Sequence, residues 1–411
     1  PYELACANLT SSAGKTAEHD RLWQLFDINW QNQMTEYPEW ATSVGYPGQN
    51  GRWTDLSLEA INRRKRELDA PLKALQSIDR AKLNQEDQLS YDIFNYRLRS
   101  GIEGRRFPDE LMPLNQLEGI QECAANTLTE NPTSTVKDYE DIISRLRGVP
   151  TVIDQTMVLM KAGLKAKVTP PKITLRDVPQ QIKAQIVDDP LTSPLLESFK
   201  KFPSTIATAE QERLRATASG IVRDDVVPAY RKLVEFFVNE YLPGARENLA
   251  LSDLPDGKNW YAHRVRASTT TALTPAEIHE IGLAEVKRLR AAMDELITKT
   301  GFKGSFKEFC TYVRSDRRFF FDQKEELLAG YRDIGKRIDP ELIKQFGKLP
   351  RLPYGIEAVP SFSEKSQPTA YYRSGSLTPG RAGIFCANTY DLKTRPKWEM
   401  EALTLHEAVP G

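Results

Sequence analysis

Residues 274–299 read TPAEIHEIGLAEVKRLRAAMDELITK. Ile278, Ile281, Gly282, Val286, Leu289, Met293 and Leu296 recur there at the spacing of one helix face. Thr274 can cap the free N–H groups, Pro275 fits the first turn, and Glu277 can reach back to the cap. Similar patterns extend outward and predict a mainly α-helical protein. Upstream, Trp23, Phe26 and Trp30 recur at helical spacing. Residues 57–78 read as one charged helix with Leu58, Ile61, Leu68, Leu72 and Leu75 on its apolar side. Residues 85–99 form another candidate, through Leu89, Ile93 and Tyr96. A long helix over 208–241 should kink at Pro228, which lacks an N–H and whose ring strikes the carbonyl four residues back. Pro243-Gly244 should end it. The loop-rich stretches are 46–55, 168–176 and 251–259.

Downstream, the character changes after about Leu349. Residues 354–362 are apolar and aromatic but contain Pro360, which suits an edge strand. Residues 370–373 and 383–388 also read as short strands, separated by the turn-rich stretch Ser374-Gly375-Ser376-Leu377-Thr378-Pro379-Gly380. Helix resumes near Pro396, with Trp398, Ala402, Leu403 and Leu405 as its apolar side. The expected arrangement is a small antiparallel sheet leading into a helix that carries His406 and Glu407. Residues 1–270 are expected to form a helical region, one wall of a cleft. Residues 271–411 are expected to form the N-terminal part of a catalytic region.

The 411 residues are 40% hydrophobic and 27% charged, enough to bury a large core. Lysine plus arginine equals aspartate plus glutamate at 56 each, so no basic excess exists to hold a nucleic-acid backbone. The run Arg63-Arg64-Lys65-Arg66 has acidic neighbours and reads as a solvated helix face. No apolar stretch approaches the roughly 20 residues that span a bilayer. Leu4-Ala5-Cys6 resembles the end of a lipoprotein signal without its apolar region, which favours a periplasmic or lipid-anchored exported protein over a cytoplasmic one. Cys6, Cys123, Cys310 and Cys386 form no C-x-x-C pair, which removes zinc-ribbon and thioredoxin readings.

There are four histidines. His19 opens a polar helix start and reads as solvated. His263 lies beside Arg264 and Arg266 with no evident partner. His279-Glu280 fails the H-E-x-x-H spacing because position 283 is Leu283. His406-Glu407 has a different context, at the end of a helix that follows a sheet. A neutral imidazole binds Zn²⁺, and an adjacent carboxylate that stays off the metal can take a proton from water. The usual second histidine would fall at position 410, which is Pro410. Its nitrogen would face the His406 carbonyl, so the helix should kink or stop there. A histidine six residues on would lie about 240° around an ideal helix, so only a break at Pro410-Gly411 could return it to the same metal. On these residues alone, the competing reading is a helix C-terminus with a buried or capping histidine.

The stretch His406-Glu407-Ala408-Val409-Pro410-Gly411 resembles the motif of the bacterial family filed as domain of unknown function 885, which is regarded as gluzincin-like. Tyr371-Tyr372, Ser374-Gly375-Ser376, Arg381-Ala382-Gly383 and Ile384-Phe385-Cys386-Ala387-Asn388-Thr389 fit the same family. So do Leu273-Thr274-Pro275 with Glu277-Ile278-His279-Glu280, Pro38-Glu39-Trp40-Ala41-Thr42 and Trp53-Thr54-Asp55. The resemblance implies a multi-helix gluzincin-like body and a zinc metallopeptidase acting on short peptides. It implies His406 as one Zn²⁺ ligand and Glu407 as general base. The remaining ligands would lie past Gly411, so these 411 residues alone should hold no tight zinc site and lack activity. In such peptidases an edge strand beside the metal helix pairs with the substrate, and 383–388 is the candidate here. Tyr371, Tyr372, Arg381 and Asn388 could orient substrate or steady an oxyanion. The rival expectations are a non-catalytic helical binding protein of the same fold and a metal-dependent amidase acting on a non-peptide bond.

Overall fold

Helices supply most of the chain, in agreement with the periodicity, and they gather into two units, Pro1–Thr271 and Ala272–Gly411. The computed structural model describes residues 1–361, 364–365, 367–376 and 380–409. The principal helices of the first unit are α1 (Glu18–Glu36), α2 (Leu58–Glu67), α3 (Asp69–Gln76), α4 (Gln85–Gly104), α5 (Val136–Ala166), α6 (Thr208–Ile221) and α7 (Val227–Phe236).

The core of the first unit is built on α5. Thr135 and Asp138 form a capping box at its start, satisfying backbone N–H groups from both sides. Ile142, Leu146, Val149, Ile153, Met157 and Met160 are buried along one side of it. Against them pack Leu214, Ala218, Val222, Val226, Tyr230, Leu233 and Phe237 from the 208–241 segment. The helical hydrogen-bonding of that segment is interrupted next to Pro228. A wide π-type turn over Val222–Val226 precedes α7. The extra residue in that turn relieves the carbonyl that Pro228 cannot satisfy, and the helical run continues. A second such turn, Phe237–Tyr241, stands in front of Pro243.

The expected single helix over 57–78 is two helices. α2 ends at Glu67 and α3 begins at Asp69, with Pro71 in its first turn. Pro71 has no N–H for the Glu67 carbonyl, so the break falls one turn before it.

Arg145, fully buried in α5, organises the 38–53 loop region. Its Nε donates to the Arg52 carbonyl at 2.9 Å. Nη1 donates to Asn131 Oδ1 at 2.6 Å, and Nη2 to Thr42 Oγ1 at 2.7 Å and the Pro38 carbonyl at 3.0 Å. Trp53 donates back to the Arg145 carbonyl at 2.7 Å, and its ring stands 5.6 Å from the guanidinium.

The second unit contains α8 (Pro275–Lys299), α9 (Phe306–Ser315), α10 (Lys324–Ile338) and α11 (Met400–Glu407), with strands β1 (Tyr354–Ala358), β2 (Ala370–Arg373) and β3 (Gly383–Ala387). The strand order is β1-β3-β2. β2 and β3 are antiparallel, but β1 runs parallel to β3. The sheet is therefore mixed, which corrects the antiparallel expectation. The turn after Arg373 reverses β2 into β3, whereas the chain leaving β1 crosses to the far side before starting β2. β3 is central and buried throughout. Both of its edges are paired, so it is not the open substrate edge expected for 383–388. The outer strands are β1 and β2.

α10 and α11 cover one face of this sheet through Leu327, Tyr331, Ile334, Met400 and Ala408, which meet Ile356, Ala370, Phe385 and Ala387. The buried side of α11 is therefore Met400, Thr404 and Ala408, with Leu403 half-buried, rather than Trp398, Ala402, Leu403 and Leu405. The helix starts at Met400, which leaves Trp398 in the preceding turn, edge-on to Phe319 and Phe320.

Candidate functional site

α11 is fixed by the core it covers, and that fixes where its polar residues point. Met400, Thr404 and Ala408 are four apart and share one side. Thr404 also donates from Oγ1 to the Met400 carbonyl at 2.7 Å. His406, about 200° from Thr404 at 100° per residue, is exposed. Glu407 lies about 60° to the other side of Thr404 and is half-buried. The helix ends at Glu407, and Ala408 still donates to the Thr404 carbonyl. Pro410 and Gly411, on which the expected break depends, lie outside the described residues.

The Cys386 thiol is pushed up first by burial, and the charges of Glu357 and Glu407 add to that rise. Arg373 and a hydrogen bond from Tyr371 oppose it. Tyr371 packs with Val359, Ile384 and Cys386, and Arg373 approaches Glu357 at 3.7 Å. Tyr371, Arg373 and Glu357 thus lie beside one buried thiol at the sheet face away from α10.

Strand alternation separates the two tyrosines. Tyr372 is on the opposite face from Tyr371 and helps line a cavity of about 900 Å³ with Arg332, Tyr354, Ile356, Ala408 and Val409. Its hydroxyl rests directly on Gly383, where any Cβ would overlap it. Arg381 belongs to the connection between β2 and β3, where its backbone and that of Ser376 exchange hydrogen bonds of 2.8 Å. Asn388 is buried, and its Nδ2 donates to the carbonyls of Glu364, Gln367 and Pro368 at 2.7–3.1 Å. Its Oδ1 accepts from the Tyr390 N–H at 2.9 Å. The side chain of Asn388 closes that loop, with its amide N–H groups committed to backbone carbonyls.

Among the described residues no three His, Cys, Asp or Glu side chains gather into a metal-binding group. A zinc ion takes three or four protein ligands, so His406 alone does not fit a complete site. The other histidines have structural settings. His19 is not merely solvated, because its Nδ1 lies 2.7 Å from the carboxylate of buried Asp87. His263 also has partners, Phe107 with ring centroids 5.5 Å apart and Glu103 at 3.6 Å. His279 is exposed on α8.

A mainly helical chain whose small mixed sheet backs an exposed His406 and a half-buried Glu407 is the class that these features define. The chain belongs to the bacterial family of proteins of unknown function DUF885, whose model matches residues 38–411. No curated protein matches it. Among solved structures it is similar to "the putative lipoprotein from Colwellia psychrerythraea", at 21% identity and a TM-score of 0.85. That match covers 96% of this chain and 72% of the other. At this identity the likeness establishes the fold. No helix among the described residues is long and apolar enough to cross a membrane.

Proposed function

We propose that the chain belongs to a gluzincin-like zinc peptidase that hydrolyses short peptides, with His406 as one metal ligand and Glu407 as general base. The observation that carries this reading is the setting of the pair. A core-facing side of Met400, Thr404 and Ala408 holds α11 against the sheet while the His406 imidazole stands in solvent. A histidine serving as core filler would face the other way. Zinc would polarise the scissile carbonyl and acidify the attacking water. Glu407 would accept that water's proton and deliver it to the leaving amine. Tyr371 and Arg373, which share one face of β2, are the candidates to orient substrate. Tyr372, Arg381 and Asn388 act through the framework of β2, β3 and their loops. On this reading the remaining ligands come from polypeptide outside these residues. The description of the similar protein as a lipoprotein supports an exported, lipid-anchored setting; Leu4-Ala5-Cys6 adds nothing to it, because Cys6 sits within the helix Tyr2–Ser11 and is buried in the core.

The test uses the full gene product, loaded with Zn²⁺, dialysed and assayed for metal and for cleavage of a peptide library. One zinc per chain is expected. His406→Ala should lose it, and Glu407→Gln should keep it while cleavage slows about 10²- to 10⁴-fold, the range for a lost general base. Substoichiometric zinc in the wild type favours a non-catalytic binding protein and overturns the proposal. Cleavage by Glu407→Gln at the wild-type rate removes Glu407 as base. Zinc-dependent hydrolysis confined to non-peptide amides would make the protein an amidase.

A further inference from the structure

α8 has the composition of a packed helix and the surroundings of an unpacked one. At 100° per residue, Ile278, Gly282, Val286, Leu289, Met293 and Leu296 fall within an arc of about 80°. The opposite side carries Glu280, Lys287, Ala291 and Asp294. Yet Val286 is 66% exposed, Leu296 60%, Leu289 49% and Met293 44%. Ile297, beside the C-terminal end of the stripe, is the one residue of α8 that is buried. Helices in proteins draw most of their stability from burying such a stripe. α8 holds its shape here by local devices: the Thr274–Glu277 capping box, Pro275 in the first turn, and the ion pairs Arg288–Glu285 at 2.7 Å and Arg290–Asp294 at 3.1 Å. These devices explain why the helix forms, but leave the stripe unexplained.

We infer that the apolar side of α8 seats an amphipathic helix supplied by polypeptide outside these 411 residues. In the similar solved structure, 28% of the chain lies outside the part that this chain covers, so there is room for further polypeptide of that length. The shape of the surface selects a helix as occupant. From Ile278 to Leu296 the stripe is about 27 Å long at 1.5 Å per residue and is flanked by the exposed Ile281 and Leu283, an apolar surface long and broad enough for one helix to lie along another. Gly282 lies within the stripe with nothing within 4 Å of where its Cβ would be, so the backbone there is open to close approach. The occupant must present leucine-like residues at spacings of three and four. This docking does not depend on the chemistry of His406 and Glu407.

Hydrogen exchange tests it, comparing the 411-residue chain with the product of the complete reading frame, with α5 amides as internal reference. The α8 amides should exchange much faster in the 411-residue chain and become protected in the complete product. In the complete product, Leu289→Glu should abolish that protection, while Lys287→Glu on the polar side should preserve it and α5 should be unchanged in both. Equal α8 exchange in the two proteins, or a reading frame that adds no polypeptide, overturns the proposal. So does a 411-residue chain that is dimeric by light scattering and becomes monomeric with Leu289→Glu, because a second copy would then cover the stripe.

Discussion

Arg145 is a buried cation held by neutral oxygens alone, since none of its hydrogen-bond partners is a carboxylate. Burial works against its charge, and the more distant Glu39, Glu130 and Asp141 support it. Arg145→Met should therefore strip donors from the Pro38 and Arg52 carbonyls, Thr42 and Asn131 together. An orphaned buried acceptor costs about 1–3 kcal/mol, so a loss of about 3 kcal/mol or more is expected in urea unfolding. Lysine should fail to rescue it, because a single ammonium cannot replace the planar fork of donors. A loss below about 1 kcal/mol would show that water replaces the guanidinium. Nothing in the sequence marks this arginine, because the carbonyls it holds lie 93 and 107 positions away. His406 and Glu407 were legible for the opposite reason, being adjacent in the chain. His19 shows the same contrast, since its partner Asp87 is 68 positions on. The Asp87 hydrogen bond raises the His19 pKa, and the Asp87 carboxyl is lowered in turn. A raised histidine contributes stability that is complete below its unfolded pKa, about 6.5, and fades as pH rises through the folded value. The wild type should thus melt above His19→Gln at pH 6, and the gap should shrink by pH 9. A gap independent of pH would remove the ion pair as its source.

At the scale of elements, the sequence pattern located the strands and most helices, but not their partners. β2 and β3 were legible as strands, and the turn residues between them implied an antiparallel pair. The parallel pairing of β1 was not legible, because it depends on where the chain crosses between Ala358 and Ala370. α5 was passed over although it centres the larger core, since Pro150 interrupts its pattern. Pro228 correctly marked an irregularity in the helix, and the sequence did not show its form, a π-type turn that absorbs the missing hydrogen bond. The β2–β3 pair offers a direct test of how the sheet is built. A Cβ on Gly383 would stand 1.7 Å from the Tyr372 hydroxyl oxygen. Gly383→Ala should therefore expel the Tyr372 ring from its place by the cavity and cost about 1–3 kcal/mol, the range for overpacking. Tyr372→Ala should remove most of that conflict, so the double variant should be more stable than the sum of the single losses predicts. Strict additivity in thermal unfolding would mean that the two residues do not meet.

At the scale of the whole molecule, the hydrophobic clusters set the expected units of folding. Three draw their residues from Pro1–Thr271. The largest centres on α5 and includes Leu146, Ile153, Leu214, Tyr230 and Phe237, another gathers Cys6, Leu22, Leu25, Leu75 and Leu98, and a third surrounds Trp260 with Phe107 and Leu111. Two clusters belong to Ala272–Gly411, one around Phe385 between α10 and α11 and a small one around Cys386. A unit with its own core can fold alone, and the first unit is long enough to bury a sufficient one. Residues 1–271 expressed alone should be helical, monomeric and cooperative in urea, and Arg145→Met should lower the midpoint as in the longer chain. The second unit has the smaller core and an α8 stripe open to water, so it should be the less stable of the two. Thermal unfolding of the 411-residue chain should then show an early transition, tracked by the near-ultraviolet dichroism of Trp398, the single tryptophan of the second unit and identified by its loss in Trp398→Phe. A later transition should match that of residues 1–271. If the isolated first unit is disordered, or if a single transition carries both sets of signals, the two cores depend on each other and the chain is one cooperative body.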